Sequence, residues 1–212
     1  MSKEIDFNKA IDSCFYQQNN NSTKVADFFI EKANENIARG SLMTNLKLQK
    51  LLYYAYVWRF ALNNTKIFND EIEAFEFGPV VKKEWTRLKK YEKKPILIDA
   101  VQTDINLLSK DLRSYLDTIW YSYGKYEAWQ LVDMTHNEKP WIDTFNDKSN
   151  KKKIIKDSLI KEFYTMENAD ILLPENTVIR ELGNNNYELF ALNNETARAI
   201  NTPEREYKKF EL

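Results

Sequence analysis

Apolar residues recur at helical spacing along most of this chain, and they switch to alternation near its end. Residues 4–17 place Ile5, Phe7, Ile11 and Phe15 on one stripe, and the run Asn19-Asn20-Asn21-Ser22 breaks it. Ser22 or Thr23 can cap a second helix carrying Val25, Phe28, Phe29, Ala33 and Ile37, with Gly40 as its stop. Thr44 caps a third, about Asn45–Asn63. Leu48, Leu51, Leu52, Ala55 and Leu62 mark one face of it, and Tyr53, Tyr54, Tyr56, Val57, Trp58 and Phe60 fill most of the rest. A helix apolar nearly all round is a central one.

Beyond it the pattern loosens. Residues 67–77 read as extended or irregular, ended by Gly78-Pro79, with Pro79 suited to the first turn of the next helix. Val81, Trp85 and Leu88 follow as a short helical face with Trp85 pointing inward. Ser109 starts a helix with Leu112, Tyr115, Leu116, Ile119 and Trp120 inward, stopping at Gly124. Residues 126–134 predict a short helix, and Ser149 is read as the cap of another bearing Ile154, Ile155, Leu159 and Phe163. Thr177–Leu182 and Tyr187–Leu192 alternate around Gly183-Asn184-Asn185-Asn186, the signature of a β-hairpin. The expected fold is mainly α, a compact multi-helix domain around the central helix with a small C-terminal hairpin. The expected organisation is an extension over 1–22, the helical domain over 23–165, and a hairpin with a charged tail over 166–212.

Composition narrows the functions. Net charge is −1, from 31 basic and 32 acidic residues, so global charge recommends neither nucleic acid nor membrane. The longest apolar run, Leu51–Trp58, is far shorter than the roughly 20 residues that span a bilayer. The lone Cys14 forms no intrachain disulfide, and the N-terminal residues lack an apolar leader, so the expected location is cytoplasmic.

Candidate chemistry is sparse. One cysteine and one histidine make a poor zinc site, and the acids Asp70, Glu71, Glu73 and Glu76 read as water-facing positions on an extended segment. A Cys14–His136 dyad requires the fold to bring the two together, and a small buried thiol is the plainer role for Cys14. Four glycines make no phosphate loop. No catalytic residue, metal or cofactor is expected. His136 reads as a joint: Thr135 caps a turn, the imidazole ties a loop to the core, and Trp141 fills a gap after Pro140.

Between positions 82 and 94 stand seven basic residues against two acids, interleaved with Trp85 and Tyr91. Lys82, Lys83, Arg87, Lys90 and Tyr91 are therefore candidates for a partner surface, either an acidic protein or, less favoured, nucleic acid. The plainer reading is a solvated helix face.

Three segments matter together: Leu46–Tyr54 (LKLQKLLYY), Glu71–Trp85 (EIEAFEFGPVVKKEW) and Met134–Trp141 (MTHNEKPW). In this order they resemble the Panacea-domain family, also called SocA-like or GepA-like. The matched positions are Leu48, Gln49, Lys50, Leu51, Leu52, Tyr53 and Tyr54, then Gly78 and Pro79, then Thr135, His136, Pro140 and Trp141. They look like fold-specifying positions. The resemblance implies a helical antitoxin that neutralises a cognate protein toxin by direct binding, the toxin often being encoded next door. It also implies a branch that delivers its toxin to a cytoplasmic protease or unfoldase, and members associated with phages.

Overall fold

The computed structural model describes residues 21–35, 42–183 and 186–192. The helix read over 4–17, Cys14, the Gly40 stop and the charged tail lie outside them. The described chain runs α1 (Ser22–Glu35), α2 (Asn45–Asn63), β1 (Ile72–Phe75), β2 (Gly78–Val81), α3 (Lys82–Arg87), α4 (Lys110–Tyr123), α5 (Ala128–His136), α6 (Lys139–Asn146), α7 (Asp157–Phe163), α8 (Met166–Leu172), β3 (Thr177–Gly183) and β4 (Asn186–Ala191). Short 3-10 turns at Lys89–Tyr91, Ile98–Ala100 and Ile105–Leu107 bridge α3 to α4. The fold is mainly α with a C-terminal antiparallel hairpin, as the pattern predicts.

Helix α2 is the axis. Thr44 caps it by accepting from the Lys47 N–H, and Asn64 closes it in the left-handed region. From Leu48 to Trp58 every side chain is buried, the charged and polar ones included. Helices α1, α4, α5 and α7 and strands β2 and β4 all pack on it. Ser109 caps α4 by accepting from the Leu112 N–H. The β3–β4 hairpin lies against α2 and α4. Asn63 stands in for a neighbouring strand there, donating to the Tyr187 carbonyl at 2.8 Å and accepting from its N–H at 3.0 Å.

Four local expectations are corrected. Asn21, not Ser22 or Thr23, caps α1, accepting from the Lys24 N–H at 3.0 Å. The two hydroxyls instead donate to carboxylates distant in sequence: Ser22 to Asp70 and Glu84, Thr23 to Glu84. Pro79 begins no helix; it sits in β2 opposite Ala74, and α3 starts at Lys82. Its missing N–H costs nothing there, because the strand is two-membered and short. Ser149 caps no helix: it donates to Asp147 in a turn, the chain passes through Lys153 at φ 54°, and α7 begins only at Asp157. Trp85 is only partly buried, and the residue of α3 that points inward is Glu84, fully buried. Helices α6 and α8 and the β1–β2 hairpin were not expected.

Candidate functional site

The three sequence segments meet at the β1–β2 hairpin. β1 pairs with β2 from Ile72 opposite Val81 to Phe75 opposite Gly78. The free edge of β1 is covered by residues 153–155, through Ala74 N–H to the Lys153 carbonyl at 2.7 Å and Ile155 N–H to the Ile72 carbonyl at 2.9 Å. The free edge of β2 is covered by side chains of α2. Gln49 accepts from the Val81 N–H at 2.9 Å, and the Lys50 ammonium donates to the Pro79 carbonyl at 2.9 Å. Two helical side chains thereby satisfy backbone groups that a third strand would otherwise have to meet.

Gly78 closes this junction. Its φ is +91°, and a Cβ placed on it would come within 2.7 Å of Thr135 Oγ1 and 2.8 Å of Lys50 Cε and Nζ. Glycine suits the position, because a side chain would be strained at this φ and would have to displace the ends of Thr135 and Lys50. Thr135 is held in turn by donating to the Val132 carbonyl at 2.9 Å.

The turn between the strands is gripped residue by residue. Trp141 Nε1 donates to the Phe75 carbonyl at 2.9 Å. His136 lies beside the Glu76 backbone and stacks on Trp141 with centroids 4.0 Å apart. Trp141 stacks in turn on Phe145 at 4.8 Å. Phe77 meets Trp129 of α5 edge-on at 5.5 Å. The "TH…PW" element is therefore the end of α5 and the start of α6, with Pro140 in the first turn, where its missing N–H is tolerated. The His136 ring lies over Trp141, which belongs to the core. Burial holds its pKa below the ordinary histidine value, and the Lys50 ammonium adds to this.

Beneath the turn lies a buried polar cluster. Glu138 accepts from Tyr54 at 2.8 Å and from Tyr164 at 2.6 Å, and Tyr53 borders the same carboxylate. Tyr54 stacks on Tyr123 at 4.0 Å, and Tyr123 Oη accepts from Trp58 Nε1 at 2.7 Å. Burial raises the Glu138 carboxyl to about 7, against the lowering effect of the tyrosine hydroxyls and Lys50. Burial likewise lowers the Lys50 ammonium to about 7, with Glu138 opposing. Glu138 also forms part of the wall of a cleft of about 380 Å³, with Met134, Asn137, Phe163, Asn168, Ile171 and Leu172. Lys50 is sealed from solvent and Glu138 nearly so, and this cluster ties α2 and α4 to the start of α6 and the end of α7.

The basic segment is largely occupied. Lys82 pairs with Glu73 at 3.6 Å and lies over the rings of Phe75 and Trp85. Lys83 pairs with Asp70 at 3.4 Å. Arg87 turns inward between two fully buried acids, donating to Glu84 at 2.6 Å and Asp27 at 2.9 Å. Asp27 also accepts from the backbone N–H groups of Gln102 and Thr103. Lys90 is exposed and lies over Tyr91, whose hydroxyl donates to Asp99 at 3.3 Å. Of the four acids weighed as ligands, Asp70 and Glu73 are thus paired with lysines, and Glu71 and Glu76 face solvent. No group of three or more His, Cys, Asp or Glu among the described residues is placed to hold a metal ion. No helix among them is long and apolar enough to cross a membrane.

Sequence reasoning missed Asp27, Glu84 and Glu138, because a buried acid reads as a surface charge. It also missed Phe77 and Trp129, exposed by 49% and 59%. For Trp129 a signal existed: it precedes the buried Leu131 by two positions, which puts it across the helix from the core.

No curated protein and no solved structure matches the chain. Residues 48–142, which contain the β1–β2 hairpin and all the side chains that grip it, match the family model described as "Antitoxin SocA-like, Panacea domain".

Proposed function

We propose that this chain is an antitoxin-type interaction module that neutralises a cognate protein toxin by binding it directly, in the cytoplasm. The observation that carries the reading is the match over 48–142, whose motif residues frame a hairpin that presents Phe77 to solvent beside Trp129 of α5. We read the work as recognition rather than catalysis: Lys50 and the adjoining Glu138 are enclosed by their own partners, and His136, the partly exposed titratable residue of the motif, is stacked on Trp141. A nucleic-acid role for the 82–94 run has less support, because Arg87 is committed to Asp27 and Glu84, and Lys82 and Lys83 to Glu73 and Asp70.

The test is growth of cells expressing each immediate gene neighbour, with and without this chain. A neighbour that arrests growth alone and is tolerated with the chain, in a complex of fixed stoichiometry, is the expected result. Absence of any toxic neighbour overturns the proposal. A toxic neighbour whose half-life falls sharply on co-expression moves the reading to proteolytic delivery.

A further inference from the structure

Several partly buried aromatics of this protein carry a cation of their own. Lys82 and Lys89 lie over Trp85 at 5.6 and 5.3 Å, Lys90 over Tyr91 at 5.1 Å, Lys125 over Tyr126 at 5.2 Å, and Arg180 over Phe190 at 4.4 Å. Among the described residues, no lysine or arginine lies over Phe77, Trp129 or Phe145. Yet these three are 49%, 59% and 36% exposed, and they edge one ridge running from the Phe77–Trp129 pair across the turn to the His136–Trp141–Phe145 stack.

The charges beside the ridge have the opposite sign. Glu76 adjoins Phe77 in the turn, and Asp133 stands one helical turn after Trp129 and close enough to His136 to act on its charge. Both acids are exposed, and neither forms an ion pair among the described residues. The neighbouring cations are engaged elsewhere: Lys139 with Glu162 at 2.6 Å, and Lys153 with the carbonyls of Phe145 and Asp147.

We infer that the Phe77–Trp129 ridge with Glu76 and Asp133 is a docking surface for an arginine-bearing, partly apolar segment of a partner protein. Arginine suits it better than lysine. Its planar guanidinium stacks on an aromatic face while its fork of N–H groups meets a carboxylate. Trp and Phe at the centre supply apolar area, and the acids steer encounter and reject anionic partners such as nucleic acid. This inference rests on the reading of the chain as an interaction module, and names the face that the module uses.

The test uses the full chain labelled with 5-fluorotryptophan and a capped peptide of alternating arginine and leucine, with the glutamate–leucine peptide as control. Loss of one fluorine resonance in Trp129→Phe assigns that residue. The expected result is a Trp129 shift with the cationic peptide only, and binding weakened at least about tenfold in Glu76→Lys/Asp133→Lys. Should that pair of exposed changes lower the melting temperature, Asp133→Asn serves in its place, with a smaller loss. A still resonance, an equal shift with the acidic peptide, or undiminished binding by the charge variant overturns the inference. Growth protection retained by a variant that no longer binds the peptide sinks this surface and leaves the antitoxin reading intact. Peptide binding without any toxic neighbour does the reverse.

Discussion

The Lys50 ammonium donates to the Pro79 carbonyl at 2.9 Å inside the core, and the lack of a side chain on Gly78, the residue before, leaves room for it. A long charged side chain on the central helix thus ends on strand backbone, in place of a strand that is not there. Gly78→Ala tests the packing. The new methyl meets Thr135 and the end of the buried Lys50 side chain, at a φ that L residues avoid. A loss of about 2–4 kcal/mol in unfolding free energy is expected, read by denaturant titration. Ala at the exposed Gly183 (φ +92°, no neighbour within 4 Å) should cost only the backbone strain, about 1 kcal/mol.

Arg87 separates a structural cation from the surface ones beside it. Arg87→Ala leaves Asp27 and Glu84 buried without their shared cation. The expected destabilisation is about 3–5 kcal/mol, as for other broken buried pairs. Lys90→Ala, one 3-10 turn away on the surface, should stay within about 0.5 kcal/mol. Equal effects would contradict the inward placement of Arg87.

Glu138 gives stability a dependence on pH. Its carboxyl is raised from the usual value to about 7 by burial, so between about 4.5 and 7 the folded protein holds a proton that the unfolded chain has released. The native state therefore loses this contribution as pH rises through that window and retains it fully below. Relative to Glu138→Gln, wild type should lose at most about 3 kcal/mol between pH 4.5 and 7.5. Thermal melts of both proteins across that range measure it, and a difference that does not vary with pH would refute it.

Tyr123→Phe strips the acceptor from the buried Trp58 Nε1 while keeping the ring stacked on Tyr54. An orphaned indole N–H costs about 1–3 kcal/mol, which chemical unfolding will show. A change in Trp58 fluorescence without a change in stability would mean that the N–H has found another partner.

What the sequence discloses here follows the range of each interaction. Thr44 and Ser109 are legible as caps because a cap is settled within one turn, and α2 is legible because nineteen residues repeat one pattern. Ser22 misleads because its hydroxyl is claimed by acids 48 and 62 positions away. Pro79 misleads because proline before a helix and proline in a two-stranded hairpin look alike until Gln49 and Lys50 are seen behind it. The eight-residue α6 and seven-residue α7 and α8 are too short for periodicity to speak. The motif positions announce themselves as a set, yet nothing local says that Glu138, a charged residue between His136 and Pro140, is the one the tyrosines enclose.

The grip on residues 75–77 has an evolutionary corollary. Phe75 is fixed through its carbonyl, while the side chains of Glu76 and Phe77 face outward. Position is thus set in good part by main-chain atoms that any residue supplies, and display is left to exposed side chains, with Phe77 adding an edge contact to Trp129. If this face is the docking surface proposed above, lineages can rewrite the letters at 76, 77, 129 and 133 and so address a different partner, at little risk to folding. A rewrite at 50, 78 or 135 would collapse the support on which every such address is written.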